Sequence, residues 1–255
     1  MSLPLTLGPA RPVPLSAVNP VAQLGAIAVV TVVLLVSGDL VTPAVVLTAE
    51  LLLLPAAGLA APGAFLRRTW PLLLSAAGVA WVNVAFGALD GADAWLSGAT
   101  WGLRVIALAM PGILLVAATD PVRLADALTI HWRVPPRFAY GALAALRLVP
   151  LLAAEWETIR LARRARGIGG RSPVAQLRLL ASTGFALLVG AIRRGTRLAT
   201  AMDARGFDSG IPRTNARGSQ LHPRDAWFVA ATVLVCVVAV TTSVLAGAWD
   251  PLFAG

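Results

Sequence analysis

The sequence predicts an all-α, polytopic membrane protein with about five transmembrane helices and a cytoplasmic region of long crossing helices. Three observations carry that fold class. Of 255 residues, 58% are hydrophobic and only 13% are charged, and mean hydropathy is +0.78, too apolar for a domain that keeps its surface in water. Apolar runs near the ~20 residues that a bilayer demands recur along the chain, separated by turn residues. The 21 basic residues are all arginine, and they collect on one side of those runs.

Taken in order, residues 1–19 hold four prolines and no basic stretch ahead of an apolar one, which reads as an irregular tail and not a cleaved signal. Candidate spans follow at 21–37, 40–60, 70–89 and 99–119, with a last one at 226–248. Ser37-Gly38-Asp39, Pro62-Gly63 and Asp90-Gly91-Ala92-Asp93 mark the turns between the first four. The first two spans share a short connection and form, as an alternative, a shallower or tilted pair. Trp70, Trp95, Trp101, Trp227 and Trp249 fall near proposed ends, where an amphipathic ring suits the headgroup layer.

Charge sets the orientation. Arg11 precedes the first span, Arg67 and Arg68 separate the second from the third, and seventeen arginines lie between Asp120 and Asp225. The two intervening loops carry only Asp39, Asp90 and Asp93. By the positive-inside rule the N-terminus and the 120–225 region are cytoplasmic, and the C-terminus is outside. The chain divides into 1–119 (tail and four spans), 120–225 (cytoplasmic helices) and 226–255 (last span and short outer end).

The 120–225 region is too long for a loop and too apolar for a soluble domain. Its runs at 140–154 and 177–192 are interrupted or flanked by Arg147, Arg178, Arg193, Arg194 and Arg197, which argues for amphipathic helices under the cytoplasmic leaflet. One more membrane-crossing hairpin is the alternative. Asp120-Pro121 reads as an N-cap with proline in the first turn, starting a helix that Pro135-Pro136 stops. A second helix runs from Pro136 to Gly167 with Pro150 inside it, and Ser172-Pro173 opens a third that continues to Gly206. The small residues Gly141, Ala145, Gly184, Ala199 and Ala201 would let such helices cross closely.

Two of these helices end in the same tripeptide, Ala165-Arg166-Gly167 and Ala204-Arg205-Gly206. Glycine is a common C-cap and arginine complements the helix dipole, so capping alone explains either one. Together they present two guanidinium groups on the cytoplasmic side, each able to grip carboxylates or helix-end carbonyls.

At these residues the sequence resembles a known family. Thr119-Asp120-Pro121, Leu124-Ala125-Asp126-Ala127-Leu128, Val134-Pro135-Pro136-Arg137, Arg147-Leu148-Val149-Pro150-Leu151-Leu152, the stretch 155–167 and Ala201-Met202-Asp203-Ala204-Arg205-Gly206-Phe207 look like the transmembrane T component of energy-coupling factor (ECF) transporters. That family includes cobalt-transport permease subunits. The match is ordered and covers 119–207. Upstream, Asn19-Pro20-Val21-Ala22-Gln23-Leu24 keeps the proline and leucine of a family segment but loses both of its basic positions.

The resemblance implies a non-catalytic coupling subunit of an ABC-type importer in the plasma membrane of a prokaryote. Its implied partners are two cytoplasmic ATPases, which bind ATP and magnesium, and a membrane S component that binds a vitamin, a vitamin precursor or a transition-metal ion. Arg166 and Arg205 would each dock on one ATPase, and this chain would bind no cofactor.

The remaining polar residues are weighed singly. Glu50 and Arg104 fall inside proposed spans, where charge is a functional hypothesis by default, and they could pair across the second and fourth spans. His131 and His222 lack partners at ligand spacing, so no metal is assigned. Cys236 reads as a small buried or lipid-facing hydrophobe, and Glu157 with Arg160 as an ordinary helix pair. The competing class is a membrane-embedded lipid-processing enzyme or scaffold with an Arg-rich cytoplasmic region. Asp90-Gly91-Ala92-Asp93 is its faint support, since the rest of a CDP-alcohol phosphotransferase signature is missing. A chain without lysine has no P-loop. The interleaved apolar runs favour membrane lipid over nucleic acid as a contact for the arginines.

Overall fold

The computed structural model describes residues 13–251 except 88, 169–171 and 208–217. Arg11 and most of the N-terminal tail therefore lie outside the described residues. Among the described residues, eight α-helices follow a single 3-10 turn at Pro14–Ala17: α1 Pro20–Val36, α2 Val41–Leu52, α3 Pro62–Phe86, α4 Ala92–Ala118, α5 Pro121–His131, α6 Pro136–Ala165, α7 Pro173–Ala204 and α8 Pro223–Leu245. There is no strand among the described residues. Six of these helices begin on a proline, whose fixed φ suits the first turn and whose missing N–H is not needed there. Side-chain caps assist: Asn19 accepts from the Val21 N–H at 3.0 Å, Asp120 from the Val122 N–H at 2.8 Å and Ser172 from the Ala175 N–H at 3.2 Å.

The chain forms two compact units. One comprises 8–127 and 219–255. Its core is built from Val30 and Leu34 on α1, Val46 and Leu47 on α2, Ala107, Met110 and Leu114 on α4, and Cys236 and Ala239 on α8. Cys236 is thus a small core residue, 3% exposed.

Helix α3 packs on α4, and glycines set the closeness of that contact. A Cβ at Gly98 would stand 2.7 Å from Val84 Cγ2 and 2.8 Å from the Ala80 carbonyl oxygen, and one at Gly102 would stand 3.2 Å from the Ala80 Cβ. Gly98 and Gly102 form a Gly-x-x-x-Gly pair, the spacing that lets membrane helices approach backbone to backbone.

Among the described residues, five helical segments are long and apolar enough to cross a membrane: Phe65–Phe86, Ala92–Ala118, Pro136–Ala165, Pro173–Ala204 and Pro223–Leu245. The number matches the sequence expectation, but the membership differs. α1 and α2 are the shorter apolar helices, at 17 and 12 residues, and at ~1.5 Å per residue α2 covers only about 18 Å. The expected span 40–60 breaks because Pro55 follows the last helical turn and the chain reverses at Gly58, φ +75. The third span starts earlier than expected, so Arg67 and Arg68 sit exposed in the opening turns of α3 rather than in a loop.

The other unit comprises residues 128–218. Here α6 and α7 form an antiparallel hairpin, as three contacts along its length show. Tyr140 meets Phe207 edge to face at 6.4 Å, Glu155 pairs with Arg194, and the Arg163 guanidinium donates to Ser182 Oγ at 2.7 Å, Thr183 Oγ1 at 2.6 Å and the Leu179 carbonyl at 3.1 Å.

The expectation of close crossing through small residues is corrected in part. Neither Gly141 nor Gly184 has an atom within 4 Å of where a Cβ would stand. Gly141, Ala145 and Ala199 line an open groove of about 360 Å³ instead, together with the larger Leu198, Met202 and Phe207. Exposed Val174, Leu177, Phe185, Leu188 and Ile192 recur at helical spacing and give α7 an apolar stripe.

Candidate functional site

The two tripeptides close their helices identically. After α6, Arg166 lies at φ −85, ψ 7 and Gly167 at φ +71. The Ile168 N–H donates to the Arg163 carbonyl and the Gly167 N–H to the Arg164 carbonyl, both at 3.0 Å. After α7, Arg205 lies at φ −89, ψ 10 and Gly206 at φ +72. The Phe207 N–H donates to the Met202 carbonyl at 3.1 Å and the Gly206 N–H to the Asp203 carbonyl at 2.9 Å. Each is a Schellman closure, with glycine in the left-handed position.

A third helix separates the roles of the two residues. α8 ends the same way, with Gly247 at φ +64, the Ala248 N–H on the Ser243 carbonyl and the Gly247 N–H on the Val244 carbonyl, both at 3.0 Å. Its cap residue is Ala246. The closure therefore needs the glycine but not the arginine. Arg166 and Arg205 are both exposed.

The hairpin puts these arginines at opposite ends. Arg205 borders a groove of about 420 Å³ with Tyr140, Leu143, Arg147, Leu198 and Phe207, beside the first half of α6, while Arg166 ends that helix. Those α6 residues precede Arg166 by roughly 19 to 26 positions, which at ~1.5 Å each places the tips about 30–40 Å apart along the hairpin. Phe207 anchors the second closure by packing on Tyr140. The tripeptide recurs at Ala216-Arg217-Gly218, whose first two residues lie outside the described residues.

Glu50 and Arg104 are both buried, at 5% and 3% exposed, but the structure does not join them. Among the described residues, no nitrogen of the Arg104 guanidinium and neither Glu50 oxygen has a hydrogen-bond partner. Arg104 stands 4.8 Å from the Trp101 ring. Glu50 lines a cavity with Pro111 and Leu114, seven and ten positions past Arg104 and so ~10–15 Å further along α4.

Two polar clusters escaped the sequence reading. In the first, the Asp39 carboxylate, between α1 and α2, accepts from the Thr42 N–H at 2.7 Å, Thr42 Oγ1 at 2.8 Å and Ser243 Oγ at 2.7 Å. Burial alone would raise its pKa, but the bonds from Ser243 and Thr42 outweigh burial and hold it below the ordinary 3.8. Only the Asp-x-x-Thr spacing hinted at this cluster, as a cap for α2.

In the second, Asp225 accepts from the Asn19 N–H at 2.7 Å and the His222 N–H at 2.7 Å. Gln23 Nε2 donates to the Leu15 and Val18 carbonyls at 3.0 and 3.2 Å, and Thr119 Oγ1 donates to Gln23 Oε1 at 3.1 Å. Asn19 and Gln23 sit in the segment that lost the family's basic residues, and Gln23, 3% exposed, is internal glue. His222 caps α8.

The architecture defines a class: a helical, multi-pass membrane protein carrying a separate hairpin unit with matched arginine ends. The chain belongs to the cobalt transport protein (CbiQ) family, whose model matches residues 13–215. It is 33% identical over 144 residues to the energy-coupling factor transporter transmembrane protein EcfT of Limosilactobacillus fermentum, covering 53% of this chain and 54% of that protein. It is 34% identical over 149 residues to the protein of the same name from Lacticaseibacillus paracasei, covering 55% and 56%. The chain thus spans about half the length of the curated relatives it matches. A protein of Bifidobacterium longum named for ABC-transporter ATP binding is 28% identical over 164 residues, which are 59% of this chain and 21% of that protein. The resemblance to the T component of energy-coupling factor transporters is thereby established.

Proposed function

We propose that this chain is the non-catalytic coupling subunit of an ATP-driven importer, passing motion from two cytoplasmic ABC ATPases to a membrane S component. The S component would bind the cargo: a vitamin, a vitamin precursor or a transition-metal ion. One observation carries the reading: arginine occupies the cap of α6 and of α7, where the same closure in α8 is made with alanine. A residue that the local geometry does not require, repeated and exposed, has a use outside the chain.

Each planar guanidinium fork suits carboxylates or helix-end carbonyls in a groove on one ATPase. ATP and magnesium belong to those partners, and this chain holds no cofactor. The relative named for ATP binding supports the pairing with ATPases. The arginine distribution favours a cytoplasmic N-terminus and hairpin and an outer C-terminus. α6 and α7 are long and apolar enough to cross, but crossing would put Arg166 and Arg205 on opposite faces of the membrane, so in this reading the hairpin lies along the cytoplasmic leaflet. When ATP draws the ATPases together, the pull reaches two ends of one hairpin. Contacts of Arg163 with α7 and the Glu155–Arg194 pair resist sliding, so the hairpin pivots. An S component resting on the apolar stripe of α7 tilts with it, and membrane lipid covers the stripe when the S component leaves.

The test is co-purification of the ATPases and cargo uptake with Arg166→Glu, Arg205→Glu and the double variant. Each single variant is expected to weaken ATPase capture at least tenfold, and the double variant to abolish uptake. Independent tips would give additive losses. Wild-type uptake by the double variant would overturn the assignment.

A further inference from the structure

In the bundle unit, α1, α2, α4 and α8 enclose a half-open cavity of about 240 Å³ whose walls include Val30, Val46, Leu114, Phe228 and Val235. Its lining is almost wholly apolar, and no arginine or histidine belongs to it. Glu50 does. The residue is 5% exposed, and among the described residues neither carboxyl oxygen has a hydrogen-bond donor. The other polar side chains in the wall are already engaged. Gln23 Nε2 bonds the Leu15 and Val18 carbonyls, and Thr232 Oγ1 donates to the Phe228 carbonyl at 3.0 Å. A buried acceptor without a donor is an incomplete site, because removing it from water forfeits hydrogen bonds that nothing in the protein replaces.

We propose that this cavity binds a small apolar amine, with its alkyl body among the aliphatic side chains and its ammonium group donating to the Glu50 carboxylate. The size sets the body: at ~30 Å³ for each water-sized heavy atom, the space takes roughly eight such atoms. The charge sets the head. An amine can take up the Glu50 proton and donate back to the carboxylate as ammonium, whereas a carboxylate or a phosphate-bearing headgroup would set two acids against each other with no counter-ion in the cavity wall. Glu50 lies in neither arginine tip and the proposal does not depend on the coupling role.

The probe is radiolabelled octylamine, bound to the full chain in nanodiscs of zwitterionic lipid, with protein-free nanodiscs subtracted. The expected result is one saturable site per chain, displaced by unlabelled octylamine but not by octanoate, with binding at least tenfold weaker in the nearly isosteric Glu50→Gln. Ala26→Phe, which places a ring in the cavity, is expected to remove the site while leaving Glu50 in place. Binding by Glu50→Gln within twofold of the wild type, equal displacement by octanoate, or uptake that never saturates would each overturn the proposal. ATPase capture by Glu50→Gln stays at the wild-type level if the two readings are separate, so a failure here is distinguishable from a failure of the coupling assignment.

Discussion

Replacing Gly206 with alanine separates the closure from the arginine it presents. Gly206 sits at φ +72, a left-handed conformation that costs an L-residue with a Cβ roughly 1–2 kcal/mol. The two bonds that depend on it, from the Phe207 and Gly206 N–H groups to the Met202 and Asp203 carbonyls, open together when the turn unwinds. A penalty of that size changes the closed-to-open ratio by about 5–30-fold. Amide hydrogen exchange at Phe207 in the purified full chain is therefore expected to speed up by about that factor, while amides in the middle of α7 keep their rates. Arg205→Ala is expected to leave the Phe207 rate unchanged, since α8 makes the same closure on Ala246. Both variants should lose ATPase capture, for different reasons: the first misplaces the guanidinium and the second removes it. Faster exchange in Arg205→Ala, or none in Gly206→Ala, would refute the division of labour between cap glycine and cap arginine.

The α3/α4 contact predicts unequal effects from its two glycines. Gly98→Ala brings a Cβ to 2.7 Å from Val84 and 2.8 Å from the Ala80 carbonyl, an overpacking cost of ~1–3 kcal/mol against ~1 kcal/mol gained in helix propensity. Gly102→Ala, at 3.2 Å, should be near neutral, and thermal unfolding in detergent ranks the two. Asp39 predicts an acid-sensitive bundle. Its folded pKa lies below its ordinary 3.8, so its contribution is complete above about that pH and is lost as pH falls through the folded value. Unfolding temperatures followed from pH 6 to pH 3 should therefore drop more in the wild type than in Asp39→Asn.

Legibility in the sequence followed the range of the interactions. Helix starts were readable because a proline in the first turn with Asp120 or Ser172 before it acts over three residues. The Schellman closures were foreshadowed by Arg-Gly pairs for the same reason. The Gly98–Gly102 packing went unread, because its partner, Ala80 on α3, meets it only in the folded helix pair. Glu50 and Arg104 looked pairable because both lie in apolar runs, and the offset along α4 that parts them is a matter of register between helices. Glu155 and Arg194 were each visible as charges, yet their pairing spans 39 positions and needed the hairpin.

By itself the sequence determined that the chain is helical and membrane-embedded, where its helices start, and that two of them end in arginine and glycine. Composition, turn residues and caps act locally, so these properties survive without knowledge of the fold. Only the tertiary structure decided that the two arginine tips stand at opposite ends of one antiparallel hairpin, and that Glu50 faces an apolar cavity without a donor among the described residues. These depend on which side chains meet across long separations in the chain, and packing selects those meetings from many that the same pattern of apolar and charged residues would permit.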